Sequence, residues 1–322
     1  MSPAEHVESP AAATDPTDEA DPEGHESDAV PPGAIVAGVD GSDKDASVLD
    51  FAALEAGRSR APLHLIMAHE IHTGIVGTWD AGFALDGMAT ELATATAERL
   101  HLIASGVKEA HPHLDVSTSH PWGTPSQVLL DAAAEALLVV VGTERKSGLA
   151  RVLLGTTSLD TAMHAACPVA VVGLDPIRSG PVVVGVDGSR HAVAAARWGA
   201  SAAAARGVGL VVVTTWWLEV IRGVVITEEG TPEWEELTSR YRAMAECALG
   251  EVRADHPHLP IDVIVRNDRP VSALLEASAD ASLLVVGTRG RGGFAGMTLG
   301  SVSHKVLQRA ACPVVVTRAA PG

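Results

Sequence analysis

The sequence predicts an α/β protein built as two tandem doubly wound domains, each a five-stranded parallel sheet flanked by helices. Three observations predict it. Short Val- and Leu-rich runs alternate with Ala-rich helical stretches, the chain repeats itself, and a buried-strand pattern opens onto a glycine-rich turn that closes on a helix start. Alternating strands and helices imply a parallel sheet covered on both faces. Right-handed crossovers make it doubly wound, with ligands at the carboxyl ends of the strands where the order reverses.

The repeat fixes the domain organisation. Ile35-Val36-Ala37-Gly38-Val39-Asp40-Gly41-Ser42 returns as Val182-Val183-Val184-Gly185-Val186-Asp187-Gly188-Ser189. His111-Pro112-His113-Leu114 returns as His256-Pro257-His258-Leu259, Val140-Val141-Gly142-Thr143 as Val285-Val286-Gly287-Thr288, and Ala166-Cys167-Pro168-Val169 as Ala311-Cys312-Pro313-Val314. These last three pairs share one offset of 145 residues. The expected division is an acidic tail over 1–32, a first domain over 33–174 and a second over 180–320.

In the second copy each element has its own signal. Val182–Asp187 is a strand, and Ala192–Ala205 an Ala-rich helix ending at Gly207. Gly209–Thr215 is a strand. Pro232–Asp255 is one long amphipathic helix with Pro232 near its start, and its acidic opening from Glu228 to Glu236 suits a helix N-terminus. Ile261–Arg266 is a third strand and Pro270–Ala279 a helix. Leu283–Gly287 is a fourth strand, Gly300–Arg309 a helix, and Pro313–Thr317 the last strand. The β-branched last strands, Pro168–Val172 and Pro313–Thr317, are edges that invite pairing with another strand.

Composition narrows the function. With 322 residues there is room for two ordinary cores. The formal net charge of −17 argues against nucleic acid or an anionic membrane as a partner. No apolar run reaches the roughly 18–20 residues that span a bilayer, and no signal-peptide pattern opens the chain, so a cytoplasmic location is expected. Residues 1–30 hold nine acidic residues and no Lys or Arg, the pattern of a solvated tail. The three cysteines suggest neither a disulfide framework nor a zinc cluster. For Cys167 and Cys312, buried hydrophobe and redox sensor are the two readings. The His-Pro-His pairs have metal-ligand chemistry but no third ligand nearby, and read as polar loops. Trp216 and Trp217 either stack on a base or shield the sheet end.

The chemistry concentrates at Gly287-Thr288-Arg289-Gly290-Arg291-Gly292-Gly293-Phe294, followed by Gly300-Ser301. Glycines admit close approach of an anion and left-handed backbone angles, and the free N–H groups of a helix start face it. Asp187, at the end of the first strand, falls beside this loop at the switch point. It either takes a ribose diol or an adenine amino group, or caps the following helix. No Gly-Lys-Ser/Thr marks a Walker-type site and no nucleophile–base set is legible, so no catalytic residue is assigned.

Gly287-x-x-Gly290, nine residues, then Gly300-Ser301, with Val186-Asp187-Gly188-Ser189 and the Cys-Pro-Val strand, resembles the universal stress proteins. The resemblance covers residues 33–320 in the tandem form familiar in actinobacteria. It implies a sheet order of 3-2-1-4-5 in each domain, ATP (with Mg²⁺ left open) as the ligand, and a fifth-strand edge used for dimer formation. By resemblance, Asp187 holds the ribose, and Gly287, Arg289 and Gly290 line the phosphate side. Gly300, Ser301, Val302 and Ser303 receive the phosphates, and Thr214 and Thr215 edge the adenine. In the first copy, Asp40, Gly142, Gly155 and Thr156 keep the pattern, but Arg145 replaces the second glycine and Glu144 the Arg. If that position needs a positive φ, Arg145 costs on the order of 1 kcal/mol, so a weakened first site is expected. The implied function is an ATP-binding, nucleotide-responsive regulatory module with an unidentified protein partner, as a homodimer or an intramolecular pseudo-dimer. A slow ATPase or nucleotidyl-transfer enzyme and a scaffold with a structural nucleotide are the alternatives.

Overall fold

A computed structural model describes residues 29–70, 82–143, 154–217, 220–221, 224–225, 228–291 and 298–319. The acidic tail to residue 28, Glu144, Arg145 and Lys146, and Gly292-Gly293-Phe294 lie outside the described residues.

Valine and leucine crowd the strands, because strands covered on both faces have no solvent side. The first unit runs β1 (Ile35–Gly38), α1 (Asp45–Ser59), β2 (Leu63–Ile66), α2 (Gly82–Ala110), β3 (Val116–Ser119), α3 (Pro125–Ala132), β4 (Leu138–Gly142), α4 (Thr156–His164) and β5 (Val169–Val172). The second runs β6 (Val182–Gly185), α5 (Arg190–Arg206), β7 (Leu210–Trp216), the two-residue strands β8 (Val220–Ile221) and β9 (Val224–Val225), α6 (Pro232–Ala248), α7 (Gly250–Asp255), β10 (Ile261–Asn267), α8 (Pro270–Ala277), β11 (Leu283–Gly287), α9 (Ser301–Arg309) and β12 (Val314–Thr317). The expected long helix divides at Leu249 into α6 and α7. The antiparallel pair β8–β9 escapes sequence reading, because two residues carry no periodicity.

All ten longer strands form one sheet in the order β10-β7-β6-β11-β12-β5-β4-β1-β2-β3. Within each unit the strands are parallel in the order 3-2-1-4-5. Strands β5 and β12 join the halves antiparallel, pairing Val171 with Val314, Ala170 with Val315 and Val169 with Val316. The two exposed edges of the sequence reading are therefore consumed inside one chain, as an intramolecular pseudo-dimer. Each sheet face carries an apolar layer that draws residues from both units, one holding Phe51, Leu65, Val184 and Leu210, the other Val139, Leu129, Leu274 and Leu307.

Local capping sets the helix that leads from the second site. Ser189 Oγ accepts the Ala192 N–H at 3.2 Å at the start of α5, and Gly207 ends it in the left-handed region. Arg206, near that end, reaches Glu55 of α1 at 2.6 Å, and their side chains are 4% and 8% exposed. Arg58 also bonds Glu55 at 2.8 Å. This buried pair ties the units together on one face.

Removing one partner of a buried ion pair leaves the other charge stranded. Arg206→Ala is expected to cost about 3 kcal/mol in denaturant unfolding, toward the lower end because Arg58 remains; a loss below about 1 kcal/mol would show the pair to be solvated. Burial pushes the Cys167 and Cys312 thiols up to about 11, which favours the buried-hydrophobe reading, since the reactive species is the thiolate. Cys247 is exposed. A maleimide at neutral pH is expected to label one thiol per native chain quickly and three after denaturation; rapid labelling of Cys312 in the native protein would contradict this.

Candidate functional site

The carboxyl ends of β6, β7 and β11 and the start of α9 surround a cavity of about 470 Å³. It lies where β6 is flanked by β7 on one side and β11 on the other, the switch point of the second unit. Asp187, Thr215, Gly287, Arg289, Gly290, Gly300, Ser301, Val302 and Ser303 all line it. Every candidate residue of the second copy except Thr214 is thus brought to one place.

Asp187 organises one wall. Its Oδ1 accepts the Ser189 N–H at 3.0 Å, and its Oδ2 accepts the Arg291 N–H at 2.8 Å. The role of helix cap belongs to Ser189, which leaves Asp187 facing the cavity and clamping the glycine loop. Ser189 Oγ reinforces the clamp by donating to the Arg289 carbonyl at 3.4 Å.

This geometry corrects the expectation for the loop glycines. Gly287, Gly290 and Gly300 are not among the residues of positive φ. What constrains Gly290 is space: a Cβ there would sit on Asp187 Oδ2. A Cβ at Gly287 would lie 2.7 Å from His191 Cβ. The strain lies in the neighbours and not in the backbone angle.

The phosphate side is built from helix α9. Gly300 is its N-cap and offers no side-chain cap, so the first-turn N–H groups of Ser301, Val302 and Ser303 have no intrahelical partner. Gly300 N–H donates to the Thr288 carbonyl at 2.7 Å, pinning the loop to the helix start. The Ser303 hydroxyl donates to the Gly287 carbonyl at 2.6 Å. It staples helix to strand, leaving its backbone N–H and its oxygen lone pairs for an incoming group. Arg289 Nε is buried with no hydrogen-bond partner. A buried donor left unmade is costly, and this one lies on the cavity's cationic side.

Val186, Ala192, Val213 and Leu274 give the opposite wall its apolar character, with Pro270 and the chain's single tyrosine, Tyr241. Thr214 does not line the cavity, since alternate strand residues face opposite sides. Trp216 is 2% exposed and packs edge-on against Trp234 at 4.7 Å. It shields the sheet end under α6, and the base-stacking reading falls for it. Trp217 is exposed, with Arg269 at 5.4 Å from its ring. His256 meets Ser201, 3.4 Å from its Nε2, and no metal-holding cluster occurs among the described residues.

Sequence reasoning missed His191. It is 8% exposed behind Gly287, and its Nδ1 accepts the Ala319 N–H at 3.0 Å and lies 3.2 Å from Thr288 Oγ1. That bond places the proton of the neutral ring on Nε2. Burial lowers its pKa, helped by Arg289, Arg190 and Arg318, with Asp187 opposing. No periodicity or spacing flags it, because its role comes from contacts across the fold.

In the first unit a cavity of about 590 Å³ holds Asp40, Gly142, Gly155 and Thr156. Gly155 caps α4 without a side-chain bond, and Ser158 Oγ donates to the Gly142 carbonyl at 2.5 Å, as in the second unit. Here Asp45 adds a second carboxylate, accepting the N–H of Gly41 at 2.7 Å and of Asp40 at 3.2 Å. Burial raises the Asp45 pKa, with Asp40 adding to the rise. Burial also works upward on Asp40, but Ser42 hydrogen bonds and Lys44 outweigh it and its pKa is lowered.

The lowered His191 pKa has a sign for stability. The unfolded chain binds more protons than the native one below about pH 6.5, so stability is full above that value and falls as pH drops through the folded pKa. Protonation at Nδ1 would also set two donors, His191 and Ala319, against each other. His191→Asn keeps an acceptor near that position and is expected to flatten this part of the acid loss in urea unfolding between pH 7.5 and 5; an unchanged slope would remove His191 from the account.

The Universal stress protein family model matches residues 33–173 and 179–318. A universal stress protein of Mycolicibacterium smegmatis is 35% identical over 295 residues, covering 88% of this chain and 96% of that protein. One from Mycobacterium tuberculosis strain H37Rv is 32% identical over 296 residues, with the same coverage. The crystal structure of a universal stress protein from Archaeoglobus fulgidus shares the fold, with a TM-score of 0.66 at 20% identity over 88% of this chain and 98% of that one. Two family matches in tandem, each over one half of the sheet, lead to one conclusion: the chain belongs to the universal stress protein family.

Proposed function

We propose that the second unit binds ATP and works as a nucleotide-responsive regulatory module in stress adaptation. The observation that carries this reading is the cavity in which the uncapped N-terminus of α9, the unpartnered Arg289 Nε and the Asp187 carboxylate converge. Its volume falls in the range of roughly 300–1,000 Å³ usual for small-ligand sites. Two universal stress proteins are described in complex with cAMP and with dAMP. Those ligands belong to those proteins, and the case for this chain rests on its own cavity.

The residues fit such a ligand in three parts. The Val213, Val186 and Leu274 wall suits the base, with Thr215 at its edge to offer a hydroxyl. Asp187 has lone pairs left after its two backbone bonds for a ribose hydroxyl. The N–H groups of Ser301, Val302 and Ser303, the Ser301 hydroxyl and Arg289 supply donors for phosphate oxygens. ATP brings to this site a polyanion matched to these donors.

We read the site as binding without turnover. Asp187 is the only carboxylate lining the cavity among the described residues, and its oxygens already hold two N–H groups. His191 Nδ1 is taken by Ala319. With the remaining Asp187 lone pairs committed to the ribose and His191 Nδ1 to Ala319, this reading leaves neither as a general base for an attacking water. Among the described residues no helix is long and apolar enough to cross a membrane.

Calorimetric titration of the full chain with ATP, with and without Mg²⁺, tests the reading. One dominant site per chain is expected, with no hydrolysis above background. Asp187→Ala is expected to weaken it by about tenfold to a hundredfold, the worth of a hydrogen bond to a charged group. Gly290→Glu is expected to abolish it by driving a side chain into Asp187. Unchanged affinity in folded variants would sink the site assignment, and steady phosphate release would sink the binding-only reading.

A further inference from the structure

We propose that the second site continues past a mononucleotide into an anion subsite formed by Arg240 and Arg291, which takes a phosphate carried on a ribose hydroxyl of an adenine nucleotide. The inference rests on the nucleotide reading above. A second cavity, of about 300 Å³, lies between α6 and the glycine loop, lined by Gly188, Arg240, Tyr241, Met244 and Arg291. It shares Tyr241 and Arg291 with the nucleotide cavity, so the two are contiguous at the Asp187 end. Among the described residues no carboxylate lines it.

The two guanidiniums lack anionic partners. Arg291 Nη1 lies 3.4 Å from the Asp187 carbonyl and 3.3 Å from Met244 Sδ, both weak neutral acceptors. Arg240 stands 5.6 Å from the Tyr241 ring centroid. Neither forms a salt bridge among the described residues, a state shared with Arg190, Arg242 and Arg269 among others; what sets this pair apart is that both line one cavity. In a chain of net charge −17, two unpaired arginines facing one cavity call for an anion.

The scaffold does not require this arrangement. At the 145-residue offset set by the His-Pro-His-Leu repeat, the first copy has Ala95 where the second has Arg240, and Ala95 lines the first cavity. Gly188 keeps the passage open, since a Cβ there would lie 2.8 Å from Met244 Sδ and 3.9 Å from Arg291 Cδ. A ribose bearing one phosphate retains its other hydroxyl for Asp187. The phosphate then faces two cations against that one carboxylate.

The test is calorimetry of the full chain with AMP, adenosine 3′,5′-bisphosphate and adenosine 2′,5′-bisphosphate, with the wild type and Arg240→Gln. One of the two bisphosphates is expected to bind about tenfold tighter than AMP, the scale of a charge-assisted hydrogen bond, and its identity assigns the hydroxyl. Arg240 is exposed on a helix, so Arg240→Gln should fold normally and bring the ratio to about one. Equal affinity for all three ligands overturns the subsite while leaving the nucleotide site standing. A preference that survives Arg240→Gln also overturns it. No binding of any of them also overturns it, and the ATP titration then decides the nucleotide reading separately.

Discussion

Much of this molecule follows from the antiparallel pairing of β5 with β12. Val169, Ala170 and Val171 meet Val316, Val315 and Val314, and two five-stranded sheets become one of ten. An exposed Val-rich edge is a template for unwanted pairing, and here each edge covers the other. Because the join is antiparallel while each unit is parallel within itself, the carboxyl ends of the two sets of strands point to opposite edges of the sheet. The two cavities therefore open on opposite sides, and one ligand does not bridge them.

The same strand connects the seam to the second site. Val316 pairs across to Val169, while Thr317 pairs with Gly287 at the head of the glycine loop. Arg318 then donates to the Met163 carbonyl of the first unit, and Ala319 donates to His191 behind Gly287. Four consecutive residues thus touch the interface and the back wall of the cavity.

What could be read from the residues alone depended on the range of the interaction. The strand Leu283–Gly287 and the cap at Gly300 were legible because apolar runs and glycine-bounded helix starts are local signals. The gathering of Asp187 and the loop followed from topology, since doubly wound sheets place those strand ends together. Gly290 was read for the wrong cause: its constraint is a carboxylate a hundred residues away, and φ preferences say nothing about that. The division at Leu249 was hidden inside one continuous helical pattern. Trp216 was equally ambiguous, because an indole after a strand end suits a ligand or a core, and only the position of Trp234 decides. His191 gave no signal, being an ordinary polar residue in the first turn of a helix until Ala319 folds against it.

The asymmetry between the two cavities is electrostatic as much as steric. The first is lined by the carboxylates of Asp40, Asp45 and Glu70 against Lys44 and Arg99. Among the described residues the second is lined by the single carboxylate of Asp187 against Arg289 and Arg291. Charges a few ångströms from a ligand outweigh distant ones, because surface charges beyond about 8–10 Å are largely screened at physiological salt. A polyphosphate would thus meet a net positive wall among the described residues of the second cavity even though the chain as a whole carries net negative charge. In the first, Asp45 occupies the N–H groups of Asp40 and Gly41 and sets a second carboxylate beside Asp40. Adding anionic phosphate there raises the cost of keeping Asp45 ionised, an expense the second site does not meet. Among the described residues the two copies thus keep one scaffold with differently charged cavity walls, the first gaining Asp45 at the start of α1 and Glu70 just after β2.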